Sequence, residues 1–394
     1  MQVPLLDLKP QMEKLHDEIM EAVTKVIDST QFILGDEVTA LEQSIAAYCA
    51  VPNAVGVSSG TDALLISLMA MGVGPGDTVL TSPYTFFATM GSIVRVGARP
   101  VFADIDPVTF NINPTAVAEA LALDRKNGSR IKALMPVHLF GQCADMQILL
   151  QLAEEYRVPV IEDGAQAIGS DCPFTEHGKT TWRRAGSMGI SGCFSFFPSK
   201  NLGGIGDGGM VTTYDNDFAD LLRIYRNHGA SPKYHHAYIG GNFRLDTIQA
   251  CVLDIKLKHL EQWHRDRRQN AQLYTRLFED ARLLDETVTL PAAAYKNVPG
   301  AMERNYHIYN QFIIRVPRRD ELRSFLQSRD IGCEVYYPVC LHQQECLRPY
   351  NDDTASFPEA EQAALDTIAL PIYPELRPEQ IEYVVQTIKD FYQS

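Results

Sequence analysis

The feature that most constrains the fold is an alternation of two kinds of segment between residues 54 and 163. Amphipathic stretches such as TDALLISLMAMG separate short apolar runs, which read AVGV, TVLTSP, RPVFADID, KALMPVHLF and VPVIED. This rhythm is typical of βαβ units, in which helices cover both faces of a sheet of buried parallel strands. The sequence therefore predicts an α/β fold with a mostly parallel sheet.

Helical periodicity marks the segments on either side of this region. Apolar residues recur at three- and four-residue steps through the first fifty positions, for example at Leu15, Ile19 and Val26, and predict helices there. An amphipathic segment over residues 246–280 is too long for one crossover and predicts the connection to a second domain. That domain has a predicted strand in YHIYNQFIIRV, a helix in RDELRSFLQSRD and a helical tail.

Chain length sets the expected number of domains. A chain of 394 residues exceeds what one hydrophobic core usually supports. We therefore predict a large domain over residues 1–258 and a smaller C-terminal α/β domain over residues 259–394.

Charge and cysteine usage exclude several classes of function. A formal net charge of −14 argues against binding to nucleic acid or to an anionic membrane, because either needs a basic face. The most apolar run, ALLISLMAMGVG, is well short of the ~20 residues that span a bilayer, and the N-terminal residues lack a signal-peptide pattern. The 8 cysteines are scattered without a C-x-x-C pair, which favours reduced thiols in a cytoplasmic protein and predicts no metal site.

The stretch SFFPSKNLGGIGDGG has two interpretations. Gly204, Gly206 and Gly209 satisfy G-x-G-x-x-G, which is informative for a dinucleotide only between a strand and a helix. The residues that follow are MVTTY, a β-branched run that predicts a strand. The pattern therefore disfavours a nicotinamide oxidoreductase and favours a loop that presents Lys200.

Candidate functional residues follow the predicted strands, at the sheet edge where doubly wound folds bind ligands. Gly60 and Thr61 open a helix, Phe86 follows TVLTSP, Asp163 follows VPVI, and Lys200 follows GCFSFF. Each has an ordinary structural alternative: a plain helix start, a core aromatic, an internal salt bridge and a surface lysine. Together they are the parts that pyridoxal phosphate needs, namely a helix N-terminus, an aromatic plate, a carboxylate for the pyridine nitrogen and a Schiff-base lysine.

Five separated motifs resemble those of a known family. They are, in chain order, GTDAL, EDGAQA, SFFPSKNLGGIGDGG, GGNFRLDTIQA and YYPVCLH. The chain resembles the DegT/DnrJ/EryC1/StrS family of pyridoxal-phosphate-dependent nucleotide-sugar aminotransferases over nearly its whole length. The resemblance implies the aspartate aminotransferase type of fold, with a large domain built on a mostly parallel sheet and a smaller C-terminal domain.

The resemblance also implies roles for individual residues. Lys200 matches the lysine that binds the cofactor covalently, and Asp163 matches the partner of the pyridine nitrogen. Gln166 matches the partner of the ring hydroxyl, and Phe86 matches the aromatic that stacks on the ring.

Phosphate contacts are implied in the same way for Gly60, Thr61, Ser195 and Asn242. In this family the contact that matches Asn242 comes from the neighbouring subunit. The resemblance therefore implies a homodimer with shared active sites.

Substrate contacts rest on fewer matching residues. Cys340 stands where proline is more usual, so Tyr337 and His342 carry over only as candidates for substrate binding, and nothing carries over onto residues 171–191. Basic residues also gather near YRNHGASPKYHH, at Arg226, Lys233 and Arg244. They predict either contacts to a nucleotide diphosphate or a solvated basic loop.

The implied activity is transfer of an amino group from an amino acid, L-glutamate by resemblance, to a nucleotide-linked keto-sugar. Carbon C3 is favoured over C4. Lys200 would act as general base and acid for the proton shift. A sugar dehydratase of the same family is disfavoured because those members usually carry histidine at the position of Lys200. A regulatory member without turnover remains the other alternative.

Overall fold

The computed structural model describes residues 1–284, 287–350 and 355–393 of the chain. Two helices come first, as the periodicity predicts: α1 (Lys9–Ser29) and α2 (Asp36–Cys49). The strands that follow are β1 (Asn53–Val57), β2 (Thr78–Thr81), β3 (Arg99–Phe102), β4 (Ile131–Met135), β5 (Ile161–Asp163), β6 (Asp171–Glu176), β7 (Lys179–Arg184), β8 (Ser191–Ser195) and β9 (Gly209–Thr213). The helices between and after them are α3 (Gly60–Ala70), α4 (Phe87–Arg95), α5 (Pro114–Lys126), α6 (Met146–Tyr156) and α7 (Asn216–Arg226).

The central sheet has the strand order β3-β2-β4-β5-β8-β9-β1. Hydrogen-bonded ladders form β3-β2-β4 and β5-β8-β9-β1, and parallel bridges from Leu134 to Val160 and from Val137 to Asp163 join β4 to the start and end of β5. Strand β9 is antiparallel to both of its neighbours, whereas β2–β3, β2–β4 and β5–β8 pair in parallel. The prediction of a mostly parallel sheet is confirmed.

Side chains of the central strands alternate between two apolar layers, as the two-residue period of a strand requires. Cys193 and Val211 face the layer that contains α3, α4 and α7. Phe194 and Met210, one residue away along each strand, face the layer that contains α1 and α2. The sheet is therefore covered on both faces, and only its strand ends are available to a ligand.

The C-terminal part of the chain forms a second apolar cluster. The elements in this part of the chain are α8 (Thr247–Leu257), α9 (Leu260–Asp280), β10 (Phe312–Arg315), α10 (Arg319–Ser328), α11 (Pro358–Asp366), β11 (Thr367–Leu370) and α12 (Pro378–Gln393). Two of these helices pack outside the cluster: α8 packs with α1 and α2, and α11 packs in the smaller cluster that contains Tyr84. Single 3₁₀ turns lie at Leu139–Gly141, Ala301–Glu303, Leu341–Gln343 and Glu345–Leu347. The amphipathic segment over 246–280 is thus two helices, and the long strand predicted in YHIYNQFIIRV is only FIIR, which pairs antiparallel with the unpredicted β11.

One N-terminal residue belongs to this C-terminal cluster. Val3 is fully buried among residues of α9, β10, α10 and α12, and it pairs with Ile331 in a parallel bridge. The predicted boundary at 258/259 falls between α8 and α9, and the division into 1–258 and 259–394 stays a prediction.

Residues 171–184, which were left unassigned above, form the antiparallel hairpin β6–β7. Among the residues that the structure describes, no helix is both long and apolar enough to cross a membrane.

Candidate cofactor and substrate site

A cavity of about 720 Å³ lies where the predicted strand-end residues meet. Its lining includes all but one of the residues predicted to contact a cofactor, namely Gly60, Thr61, Phe86, Asp163, Gln166, Ser195 and Lys200. These residues come from four separate segments of the chain, which the strand order brings together at the carboxyl ends of β1, β2, β5 and β8. The structure therefore assembles one site, and the role of each residue stays a prediction.

The start of α3 forms one end of the cavity. The Ser59 side chain caps the helix by accepting the backbone N–H of Asp62 at 3.0 Å. A Cβ atom on Gly60 would lie 2.6 Å from Cβ of Ser195, and one on Gly209 would lie 2.5 Å from the Ser59 carbonyl oxygen. Glycine at both positions lets β8 and β9 pack directly against the first turn of α3. The first N–H groups of a helix have no acceptor within the helix, so this turn can bind an anion.

Asp163 provides a buried carboxylate in the cavity wall. Its Oδ2 accepts a 2.8 Å hydrogen bond from Thr89 Oγ1, and its Oδ1 accepts the backbone N–H of Ala165 at 3.2 Å. Burial raises the pKa of Asp163, and the bond from Thr89, the N–H of Ala165 and the charge of Lys200 oppose that rise. A cation bound in the cavity would stabilise the ionised carboxylate.

Glu162, the preceding residue, lies on the opposite side of β5 and has a structural role. Its fully buried carboxylate is 3.0 Å from Nε2 of His138. It also accepts the backbone N–H groups of Gly186, Met188 and Gly189, at 2.7–2.8 Å. Glu162 therefore has the structural role of a strand-end carboxylate, whereas Asp163 lines the cavity and its functional role stays a prediction.

Lys200 lies across the cavity from the helix start, on a tight loop after β8. Its backbone N–H donates to the Phe197 carbonyl at 2.8 Å, so the loop turns back on itself. Burial lowers the pKa of Lys200 to about 8, against an opposing effect of the Asp163 carboxylate. About one Lys200 amine in ten is therefore neutral at pH 7, which makes it available as a nucleophile or a base.

An aromatic wall and an amide complete the described lining. Phe86 is 58% exposed, an unusual exposure for this residue type, and its ring centroid lies 6.2 Å from that of Tyr337. Gln166 accepts the backbone N–H of Phe140 at 2.7 Å and donates from Nε2 to the Tyr337 hydroxyl at 3.3 Å. Tyr337, a substrate candidate from the sequence, therefore does line the cavity.

Arg226, a substrate candidate from the sequence, lies outside the cavity lining. Its buried guanidinium donates from Nη1 to Glu42 Oε1 at 2.5 Å and to the Gly56 carbonyl at 3.0 Å, away from the cavity lining. An arginine held between α2 and β1 in this way has a structural role within the chain, and its contact with the substrate stays a prediction.

Other substrate candidates also lie outside the lining of this cavity. Lys233 is exposed beside the ring of Tyr234, and Arg244 donates to Asn227 Oδ1 at 2.8 Å. Asn242, the remaining cofactor candidate, is exposed and pairs with Asn227 through a backbone bridge. His342 lies 3.0 Å from Glu361, measured from Nε2 to Oε1. Within one chain, none of the four reaches the cavity lining.

Thr89 is a site residue that the sequence reasoning missed. It lies in the first turn of α4, three residues after Phe86, so one helix start presents both the aromatic plate and the hydroxyl that contacts Asp163. The sequence pattern that could have identified Thr89 is a hydroxyl residue three positions after Phe86, because residues with that spacing lie near each other on a helix.

Comparison with known proteins agrees with this geometry. A model of the DegT/DnrJ/EryC1/StrS aminotransferase family matches residues 13–389. A "pleiotropic regulatory protein" of Geobacillus stearothermophilus is 46% identical over 392 residues, which cover 100% of this chain and 99% of that protein. A UDP-N-acetyl-3-dehydro-alpha-D-glucosamine 3-aminotransferase of Acidithiobacillus ferrooxidans is 38% identical and covers 98% of this chain and 97% of its own.

A solved structure supports the fold. S. venezuelae DesV, determined in complex with a ketimine intermediate, is 36% identical to this chain and superposes with a TM-score of 0.89. The match covers 100% of this chain and 99% of DesV, so the predicted fold class is confirmed over both parts of the molecule.

Proposed function

The chain belongs to the DegT/DnrJ/EryC1/StrS aminotransferase family, and from that premise we propose that it is a pyridoxal-phosphate-dependent aminotransferase acting on a nucleotide-linked keto-sugar. The observation that carries the proposal is the pair of titratable groups in one cavity. Burial lowers the pKa of Lys200 to about 8 and raises the pKa of Asp163. Opposite shifts of this kind are typical of residues that divide acid and base roles.

The residues present fit pyridoxal phosphate. The first turn of α3, with Gly60 and Thr61, would hold the phosphate beside Ser195, and the space that a Cβ on Gly60 would fill is kept open. The exposed ring of Phe86 offers a face to an aromatic ligand. When bound, this cofactor supplies an aldehyde that condenses with amines and a pyridinium ring that withdraws electrons from the adjacent carbon.

Lys200 and Asp163 would then perform separate tasks. Lys200, once its amine is released, would remove a proton from the carbon that bears the donor's nitrogen and deliver one to the acceptor's carbon. A pKa of about 8 suits both steps, because a general base works best with a pKa near the working pH. Asp163 would stay ionised through its bond from Thr89 and keep the pyridine nitrogen protonated.

The charge of the cavity supports a homodimer. Glutamate and a nucleotide diphosphate are anions, yet Lys200 is the sole lysine or arginine among the described residues of the lining, beside Asp163, Asp207 and Glu334. Binding such substrates needs further cations or amide donors. A second copy that presents the segment with Lys233, Asn242 and Arg244 would supply them.

For the substrates we propose L-glutamate as donor and a 3-keto-sugar as acceptor. The Acidithiobacillus relative is described as a 3-aminotransferase of a UDP-linked 3-dehydro-sugar, which supports C3 over C4. The test is amination by purified protein with L-glutamate, on a panel of 3-keto and 4-keto TDP- and UDP-sugars. We expect amino-sugar and 2-oxoglutarate in equal amounts with a 3-keto member. Turnover only with 4-keto members would contradict the C3 proposal.

A regulatory protein without turnover is the second candidate, because the Geobacillus relative carries a regulatory description at 46% identity. The first half-reaction separates the two. A working transaminase loses the absorbance band of its lysine-bound cofactor when glutamate is added. A protein that keeps this band with glutamate and a wide set of amino acids, and that aminates no sugar, would favour the regulatory candidate.

A further inference from the structure

One wall of the cavity comes from the C-terminal part of the chain. Residues 334–337 line the cavity opposite the sheet, and they reach it as an irregular segment between α10 and the turn at Leu341–Gln343. Glu334 pairs with Ala369 of β11 in an antiparallel bridge, whereas Tyr336 and Tyr337 lie outside any helix or ladder and are held by individual contacts. What holds this wall therefore decides where Tyr337 lies.

Tyr84 makes those contacts. It is fully buried in the apolar cluster that also contains Phe110 and Phe140. Its hydroxyl donates to the Tyr336 carbonyl at 2.6 Å and accepts the backbone N–H of Tyr337 at 3.2 Å. One hydroxyl thus bonds to both polar groups of the peptide unit that joins Tyr336 to Tyr337.

The same hydroxyl is anchored on its other side. It lies 2.9 Å from Thr367 Oγ1 at the start of β11, and burial raises the pKa of Tyr84 well above its usual range. A raised pKa keeps the hydroxyl protonated near neutral pH, so it can donate to the Tyr336 carbonyl. The adjacent Pro83 carbonyl accepts the N–H of Leu341 at 2.8 Å, which fixes the far end of the same segment.

Tyr337 passes this placement on to the cofactor site. Its hydroxyl accepts from Gln166 Nε2 at 3.3 Å, and its ring lies beside that of Phe86. Gln166 is itself oriented by the N–H of Phe140. A continuous series of bonds therefore runs from Tyr84 through Tyr337 to Gln166.

We propose that Tyr84 is a positioning residue, which holds Tyr337 against Gln166 and Phe86 and thereby sets how tightly the cavity binds its cofactor. This rests on the proposed function. Tyr84 itself is not in the cavity lining, so its effect has to pass through Tyr337. That requirement makes the proposal testable by a double-mutant cycle.

The experiment titrates pyridoxal phosphate into the cofactor-stripped full chain and measures Kd by absorbance, for Tyr84→Phe, Tyr337→Phe and the double variant. Tyr274→Phe is the matched control, since this buried tyrosine also donates to a backbone carbonyl, that of Pro371 at 3.0 Å, but in the C-terminal core. Titrations are run at a temperature where melting curves show every variant folded. Glutamate-dependent turnover of the wild-type chain is measured in parallel.

We expect Tyr84→Phe and Tyr337→Phe each to raise Kd about fivefold, the value of one net hydrogen bond. The double variant should be within about twofold of either single one, because two links in one series are lost together. Tyr274→Phe should bind like the wild type.

Three results would overturn the proposal while leaving the function standing: wild-type Kd in Tyr84→Phe, multiplied effects in the double variant, or an equal rise in Tyr274→Phe. A wild-type chain that binds no pyridoxal phosphate would overturn both.

Discussion

Thr89 Oγ1 donates a 2.8 Å hydrogen bond to Oδ2 of Asp163 inside the cavity. This bond is the largest of the effects that keep the pKa of Asp163 from rising further, ahead of the Ala165 N–H and the charge of Lys200. Asp163 is the carboxylate that we propose faces the pyridine nitrogen. Its charge therefore depends in large part on Thr89, in the first turn of α4.

Thr89→Val should weaken cofactor binding on the acid side. Without the hydroxyl the pKa of Asp163 rises, so the carboxylate is neutralised at a higher pH. A hydrogen bond to a charged group is strong enough to move the acid limit of binding upward by about one pH unit. Measuring Kd for pyridoxal phosphate from pH 5 to 9 checks this. Thr89→Ser keeps the hydroxyl and should restore the wild-type profile; a Val variant with an unshifted profile would contradict the role of Thr89.

Asp163→Asn should separate stability from catalysis. Because burial raises the pKa of Asp163, the stability it contributes is present below about pH 4 and is lost as the pH rises through the raised pKa. At pH 7 the cofactor-free Asn variant should therefore melt no lower than the wild type. Turnover should fall roughly 150- to 5,000-fold, since losing one partner of a buried ion pair costs ~3–5 kcal/mol. Calorimetry and steady-state kinetics measure the two effects, and near-normal turnover would mean that another group protonates the ring.

Lys200→Ala should abolish turnover and the covalent bond to the cofactor, while the phosphate and ring contacts keep some cofactor bound. Borohydride reduction followed by peptide mass spectrometry locates that bond in the wild type. Lys256 is the internal control, because burial also lowers its pKa to about 8, yet its amine donates to the Gly203 carbonyl outside the cavity. We expect the reduced adduct on Lys200 alone. An adduct on Lys256 would reassign the reactive lysine.

Gly60→Ala should close the phosphate end of the cavity. The new Cβ would lie 2.6 Å from that of Ser195, so α3 or β8 has to move. Overpacking of this kind costs ~1–3 kcal/mol of stability, and we expect Kd for pyridoxal phosphate to rise at least tenfold. Gly74→Ala is the control, since its nearest atom would be 3.8 Å away. Equal cofactor affinity in the two variants would exclude a phosphate site at Gly60.

Mixing two inactive chains should recover activity if Asn242 acts across a dimer interface. One chain carries Lys200→Ala and the other Asn242→Ala, so a mixed dimer holds one intact site. Random exchange should restore about a quarter of wild-type turnover, because half of the dimers are mixed and each has one good site of two. No recovery, with exchange confirmed by native mass spectrometry, would place Asn242 outside the shared site.

Local patterns predicted the parts of this molecule that repeat regularly. The runs that end at Pro83 and Asp163 and the loop that carries Lys200 were assigned from short-range apolar rhythm. Their meeting could be predicted because the strand ends of a parallel sheet converge whatever lies between them. Gly209 was assigned to a loop before a strand for the same reason. Gly209 also lies so close to the Ser59 carbonyl that no larger residue fits there. That contact involves a distant segment of the chain, so no local pattern predicts it.

Long-range partners explain what the sequence did not predict. Arg226 looks like part of a basic loop, and only the fold reveals Glu42 as its buried partner. Strand β11 was not predicted, because it forms by pairing with β10 and no local pattern reveals that partner. The break between α8 and α9 was also missed, because no proline or glycine separates the two helices in the sequence.

Val3 has its place in the C-terminal cluster, bridged to Ile331. During synthesis Val3 leaves the ribosome long before Ile331 does, so it must wait for almost the entire chain before it can be buried. The large sheet can assemble as its strands emerge, whereas the C-terminal cluster is completed only after translation ends. The wall with Tyr337 also comes from the C-terminal part of the chain, so the cavity lining is complete only after most of the chain has been synthesised.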